Sequence, residues 1–218
     1  MANVLYITAN PKPEEESVSL QMGKAFIEAY ELANPMDHII HLDLYKEYIP
    51  FLDEDVFNGW NHAFLGLPTT DDERKKLKRI NELVDQFVDA DKYVFVTPMW
   101  NFGSPPVVKA YFDCVCMAGK TYQVLGNETV GLLLHKQAVH IQARGGFYGQ
   151  NGEQAKEFGD RYIRLILGFM GVSDVHSIIA EGTSDPYRSK KMMIEAVQQA
   201  KAYAPVFASS MMYEQQCE

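Results

Sequence analysis

The sequence predicts an open, doubly wound α/β sheet of five parallel strands in the order 2-1-3-4-5, with helices on both faces. Three observations carry this. Short apolar, β-branched runs alternate with longer segments of helical period, the mark of strands joined by right-handed helical crossovers. Five such units fit within the 218 residues. No internal repeat, linker or low-complexity tract divides the chain, so all of it reads as one domain.

Val4-Leu5-Tyr6-Ile7 is the first strand, ended by Asn10-Pro11-Lys12-Pro13, where two prolines forbid continuation. Residues 17–33 keep helical spacing through Leu20, Phe26, Ala29, Tyr30 and Ala33, and Asn34-Pro35 closes that helix. Ile39-Ile40-His41-Leu42-Asp43-Leu44 is the second strand. Residues 48–68 show no clean period and carry Asp53-Glu54-Asp55, so they read as an irregular excursion. Thr70-Asp71-Asp72-Glu73 is a capping box, opening a helix with the stripe Leu77, Ile80, Leu83, Val84, Phe87 and Val88. Pairs four residues apart, such as Asp71–Lys75, account for the basic run at 74–79. Tyr93-Val94-Phe95-Val96-Thr97, the most hydrophobic strand, stops at Pro98, and a helix from Pro106 carries Val107, Tyr111, Phe112 and Val115. After an irregular stretch near Gly126-Asn127, Ala138-Val139-His140-Ile141 forms the fourth strand, ending at Arg144-Gly145-Gly146. A helix over residues 153–170 stops at Gly171, residues 175–180 form the fifth strand, and a last helix runs from 187 to 211.

Hydrophobic residues at 47% and charged ones at 22% set a globular balance. Twenty Lys+Arg against 29 Asp+Glu leave a net charge of −9, which argues against nucleic acid as the main partner. Cys114, Cys116 and Cys217 make no disulfide framework, and the close pair inside an apolar segment suits a reducing compartment. No apolar run approaches the roughly 18 residues of a membrane span, and the start lacks a basic-then-apolar leader. The expectation is a cytoplasmic protein with neither nucleic acid nor membrane as partner. His38 and His41 lack a matching Cys/His pair, so no metal is expected. Neither a Ser-His-Asp order nor Gly-x-Ser-x-Gly occurs, leaving the chemistry to a borrowed cofactor.

In such a sheet the ligand crevice lies beyond the strand C-termini where the winding reverses, between strands one and three. Three loops meet there. Ser17-Val18-Ser19 opens a helix, either as a plain N-cap or as the seat of a phosphate on free amides and hydroxyls. Without Gly-x-Gly-x-x-Gly or a P-loop, the phosphate left is that of a mononucleotide. Pro98-Met99-Trp100-Asn101-Phe102-Gly103 offers aromatic faces and amides to a planar heterocycle, or else packs on the sheet or a neighbouring subunit. Ala143-Arg144-Gly145-Gly146-Phe147-Tyr148 lets backbone approach a ligand closely, with Arg144 placed to compensate an anionic ring or a phosphate.

These loops, with Lys109-Ala110-Tyr111-Phe112-Asp113, Ala118-Gly119, Leu167-Gly168-Phe169-Met170-Gly171 and Ala180-Glu181-Gly182, resemble the FMN-dependent NADH-azoreductases, relatives of the NAD(P)H:quinone reductases with a flavodoxin-like fold. The resemblance spans most of the chain in order. It implies that Asn10, Ser17, Val18 and Ser19 hold the flavin phosphate and the start of the ribityl chain. It likewise implies that Pro98, Met99, Trp100, Asn101 and Phe102, with Ala143, Arg144, Gly145 and Gly146, line the isoalloxazine. Tyr122, Phe147, Tyr148 and Phe169 would face the acceptor, and a homodimer would let Phe169 or the 52–65 excursion reach a partner's flavin. Ala143 stands where the family commonly has Ser, Val124 where it often has an aromatic, and Phe147-Tyr148 where some members have His.

The implied activity is two-electron, ping-pong hydride transfer from NADH or NADPH through FMN to quinones and azo compounds, with binding and orientation as the protein's contribution. A non-enzymatic, flavodoxin-like electron carrier is the first alternative. An acyl-carrier-protein phosphodiesterase type of hydrolase is the second, set back by the missing nucleophile–base pair.

Overall fold

The computed structural model describes residues 1–149 and 153–209. Its centre is a five-stranded parallel sheet of β1 (Asn3–Thr8), β2 (His38–Asp43), β3 (Lys92–Pro98), β6 (Gln137–Ala143) and β7 (Asp174–Ala180), ordered β2-β1-β3-β6-β7. This is the expected order, with β6 and β7 as the fourth and fifth predicted strands. The interposed strands are β4 (Tyr122–Leu125) and β5 (Glu128–Gly131), which form a separate antiparallel hairpin.

Strand alternation sorts the core into two layers. Leu5, Ile7, Tyr93 and Phe95 face α3 (Asp71–Asp89), α4 (Pro106–Val115) and α5 (Gly159–Phe169). Val4, Tyr6, Val94, Val96 and Ile141 face α1 (Val18–Ala33) and α6 (Ser189–Ser209). Ala196, Ala200 and Ala204 keep the α6 surface low enough for α1 to pack closely. β1 turns outward to β2 through α1, whereas the chain after β3 builds β6 and β7 on the other side. The winding therefore reverses between β1 and β3.

Besides the β4–β5 hairpin, found where an irregular stretch was expected, three features differ from expectation. Residues 54–65 of the presumed irregular excursion form α2 (Glu54–Leu65), capped by Asp53 and ended by Gly66 with φ 66°. Its period is hidden because Phe57 and Phe64 are exposed apolar residues off the buried Val56 face. The helix expected over 153–170 is instead a short 3-10 turn, Glu153–Lys156, followed by α5. The Thr70–Glu73 capping box is present, but Asp71 pairs with Arg74 rather than Lys75. Lys76 bridges to Asp53 and Asp55, tying α3 to α2. The predicted end of the last helix at Met211, and Cys217, lie outside the described residues.

The hairpin docks against the end of α5, where the Leu133 amide donates to the Met170 carbonyl at 2.9 Å. A Cβ added at Gly131 would lie 2.2 Å from the Gly171 nitrogen and 2.3 Å from the Met170 carbonyl carbon. Backbone cannot swing aside as a side chain can. Gly131→Ala is expected to destabilise the fold by about 3 kcal/mol, lowering the melting temperature by roughly 6–12 °C for a chain of this size. A melt within 2 °C of the unaltered protein would refute that approach as a constraint.

Candidate functional site

The loop after β1 builds a set of donors. Ser17 is the N-cap of α1, its Oγ accepting the Leu20 amide at 3.2 Å. The amides of Val18 and Ser19 begin the helix, where geometry leaves the first N–H groups without intrahelical acceptors. Asn10 Nδ2 donates to Ser17 Oγ at 2.7 Å and to Ser19 Oγ at 3.4 Å, and Asn10 Oδ1 accepts the Lys12 amide at 3.1 Å, which fixes the orientation of its amide. The two hydroxyl oxygens are 3.2 Å apart. Because Asn10 supplies hydrogens to both, at most one hydroxyl proton is used between them, and the other is left to donate outward. With the positive end of the helix dipole behind them, these groups form a buried anion seat.

The loop after β3 is a tight hairpin. Trp100 and Gly103 exchange backbone hydrogen bonds of 2.8 and 3.0 Å. The two residues between, Asn101 and Phe102, have φ of 48° and 72°, the signs of a type I′ turn. Asn adopts this readily, but Phe does so only under strain of order 1 kcal/mol or more. Surrounding contacts hold it there. The Phe158 amide donates to the Phe102 carbonyl at 2.8 Å, and the Phe102 ring stands edge-on to Tyr148 at 6.2 Å. Trp100 lies 6.4 Å from Tyr45, and the Met99 amide donates to the Ala143 carbonyl at 2.8 Å, joining the loops after β3 and β6.

In the loop after β6, the amides of Gly145 and Gly146 have no acceptor among the described residues, while their carbonyls accept from Ser184 and Gly182 at 3.1 and 2.9 Å. They are available as donors to a ring edge. Arg144 departs from expectation. Its guanidinium turns inward, to Gln142 Oε1 at 2.7 Å, Glu157 at 3.3 Å and Glu181 at 3.1 Å. A buried guanidinium needs partners for its five hydrogens, and two carboxylates supply them more fully than an open crevice would. These three partners tie its side chain into the loop.

Tyr122 and Phe169 meet each other, ring centres 4.8 Å apart. Phe169 ends α5, about 16 Å along the helix from the crevice end near Phe158. The two residues are therefore not brought together with the other candidate residues of the same chain. Phe147 is partly exposed beside the glycine loop, as are Trp100 and Phe102 in theirs.

Two features escaped the sequence reading. A cavity of about 500 Å³ lies on the β2 side of the first loop, bounded by Tyr6, Thr8, His41 and Tyr45, and shares Asn10 with the anion seat. A hydrogen-bonded series Thr97–His140–Asp160 runs under the crevice, with 2.9 Å from Thr97 Oγ1 to His140 Nε2 and 2.7 Å from Nδ1 to Asp160. Burial would raise the Asp160 carboxyl pKa, but hydrogen bonds from His140 and Ser177, with the Arg164 charge, hold it far below the usual carboxylate range. The series has the order of a nucleophile, base and acid. Thr97 and His140 are buried side chains of the central strands β3 and β6, and the Thr97 hydroxyl is engaged with the imidazole, so the series reads as a structural tie between strands and gives no support to a hydrolase. Only the alternation of buried strand faces could have signalled it, since its members stand 43 and 20 residues apart.

Residues 2–204 match a family model described as a flavodoxin-like fold. An FMN-dependent NADH:quinone oxidoreductase of Geobacillus kaustophilus (strain HTA426) is 48% identical over 211 residues, 95% of this chain and 100% of that protein. FMN-dependent NADH:quinone oxidoreductase 2 of Bacillus subtilis (strain 168) is 47% identical with the same coverage. Among solved structures, an azoreductase from Bacillus anthracis str. Sterne superposes with a TM-score of 0.89 at 33% identity, covering 95% of this chain and 100% of that one. An FMN-dependent NADH-azoreductase from Bacillus anthracis str. Ames Ancestor, in complex with FMN, gives 0.90 at 30% identity, covering 96% and 100%.

Proposed function

We propose, from the premise that the chain belongs to the flavodoxin-like family of FMN-dependent NADH:quinone oxidoreductases, that it is a cytoplasmic, single-domain enzyme carrying two electrons from NADH to quinones and azo compounds in a ping-pong cycle. The observation that carries this reading is the anion seat at Asn10, Ser17 and Ser19, placed at the same end of the sheet as the ring-bearing turn and the glycine loop. The donor set fits FMN. One phosphate matches the α1 N-terminus, and a planar ring system matches Met99 to Phe102 on one side and the Gly145 and Gly146 amides on the other. Bound FMN would supply the redox chemistry, taking up hydride from NADH and returning two electrons to the acceptor.

The protein's own part is binding and orientation. Asn10 presents the serine hydroxyls, and Phe102 and Trp100 offer apolar faces for flat substrates. Amides at 145 and 146 would stabilise negative charge on a ring edge without a titrating group. No helix among the described residues is long and apolar enough to cross a membrane. A second copy of the chain would complete the crevice. Phe57 and Phe64, seven residues apart on α2, share an exposed face, while Phe51, Leu65 and Leu67 are exposed nearby in the chain. A dimer would cover apolar area of this kind and could bring Phe169 to a partner's crevice.

The test is direct. Purified protein is expected to bind one FMN per chain, and NADH is expected to bleach it without oxygen. Adding menadione or methyl red should then sustain NADH oxidation. FMN binding with no turnover unless a separate reductase is added would establish the electron carrier instead.

A further inference from the structure

The segment 157–160 at the start of α5 reaches the loops after β3 and β6 and the strands beneath them. Glu157 pairs with Arg144 of the glycine loop at 3.3 Å, and its carboxylate also caps α5 by accepting the Asp160 amide at 2.8 Å. The Phe158 amide holds the Phe102 carbonyl of the strained turn at 2.8 Å. Asp160 holds His140 of β6 at 2.7 Å and, through it, Thr97 of β3 at 2.9 Å. Gly159 between them admits the close approach, since a Cβ there would lie 2.3 Å from Gln142 Nε2. Arg144, Glu157, Thr97 and His140 are all buried, and their polar groups are paired with one another or with this segment.

We infer that segment 157–160 is a positioning hub: it sets the spacing between the turn at 99–103 and the glycine loop at 144–148, the two walls of the ring crevice. The inference rests on the crevice being the flavin site. The Met99 amide bonded to the Ala143 carbonyl at 2.8 Å joins the two walls at their roots, but it does not hold the turn at 101–102 or the glycines at 145–146. The turn contains Phe102 in a conformation it disfavours, and the glycine loop has little backbone preference of its own. From one helix end, the Phe158 amide on the turn and the Glu157 carboxylate on Arg144 add the constraint beyond those roots. A crevice that grips a flat ring loses binding when its walls drift by about 1 Å. Glu157 and Asp160 are thus positioning residues, acting through Arg144 and His140.

The experiment compares Asp160→Asn, Thr97→Val and Thr97→Ser with Phe87→Leu, a buried α3 control away from the crevice. Hydrogen–deuterium exchange of apoprotein residues 99–103 and 144–148 is read beside FMN affinity by fluorescence quenching. Asp160→Asn and Thr97→Val are expected to raise exchange in both segments about tenfold relative to the control and to weaken FMN at least tenfold. Thr97→Ser, which keeps the hydroxyl, should match the unaltered protein. Exchange that rises uniformly, as in Phe87→Leu, with FMN affinity unchanged, would overturn the hub and leave a merely stabilising network. Should Asp160→Asn fail to fold, the near-isosteric Thr97 pair carries the test alone. The exchange arm needs no flavin, so an unaltered protein that does not bind FMN refutes the proposed cofactor while the hub is still read.

Discussion

Replacing Asn10 by Asp is expected to weaken FMN binding about a hundredfold while leaving the apoprotein fold intact. The two side chains have nearly the same shape, but their hydrogen-bonding roles are opposite. Asn10 Nδ2 donates to Ser17 and Ser19 and so leaves a hydroxyl proton free for a phosphate. A carboxylate there can only accept, and both hydroxyls would turn toward it. It would also sit at the N-terminus of α1 as a resident anion, favoured by the helix dipole and repelling the incoming phosphate. The fold should therefore not suffer. Losing a charge-assisted hydrogen bond is worth about 1.5–3 kcal/mol, and repulsion adds to it, which gives the hundredfold at about 1.4 kcal/mol per factor of ten. Fluorescence titration of the apoprotein measures it. A Kd within threefold of the unaltered protein would show that the phosphate sits elsewhere.

Lys92→Ala should do the reverse, lowering stability by about 3–4 kcal/mol with FMN affinity unchanged. Lys92 opens β3 and is 1% exposed. Its Nζ donates to the Phe207 and Ala208 carbonyls at 2.7 and 2.9 Å, at the end of α6, and lies over the Tyr30 and Phe207 rings, 5.5 and 5.2 Å from their centres. Burial pushes its pKa down, with Asp37 and Asp91 pulling the other way. Truncation removes both bonds and leaves a void where α1 and α6 meet the sheet. Lys92→Met fills the void but still loses the two bonds from the ammonium, while Asn34 Nδ2 goes on donating to the Ala208 carbonyl at 2.9 Å, so about half the loss is expected. The crevice is at the far end of β3, about 20 Å away, which is why the cofactor should not notice. Urea unfolding decides: a loss below 1 kcal/mol for Ala would mean that water replaces the ammonium at no penalty.

The fold and the three crevice loops are legible in the sequence because both depend on local signals. Prolines at 11, 13 and 98 end strands, Thr70 and Glu73 cap a helix, and Gly145-Gly146 marks a close backbone approach. Elements whose signal is spread or masked are not legible. α2 presents Phe57 and Phe64 outward, which blurs its period, and β4–β5 is a short ribbon with little to bury. Arg144 shows the limit within the site itself. Nothing beside it in the chain reveals that Glu157 and Glu181 will stand within 3.3 Å.

By itself, then, the sequence determined the sheet order, the winding reversal between the first and third strands and which loops follow the strands there. Hydrophobic period and turn chemistry act over a few residues and can be read one segment at a time. The tertiary structure alone decided which polar groups face the crevice and which face each other. Asn10 was turned toward two serines, Arg144 toward two carboxylates, and His140 between Thr97 and Asp160. Those pairings join residues up to 43 apart. They follow from the need of each buried donor and acceptor for a partner, and that need is met only once the layers have packed.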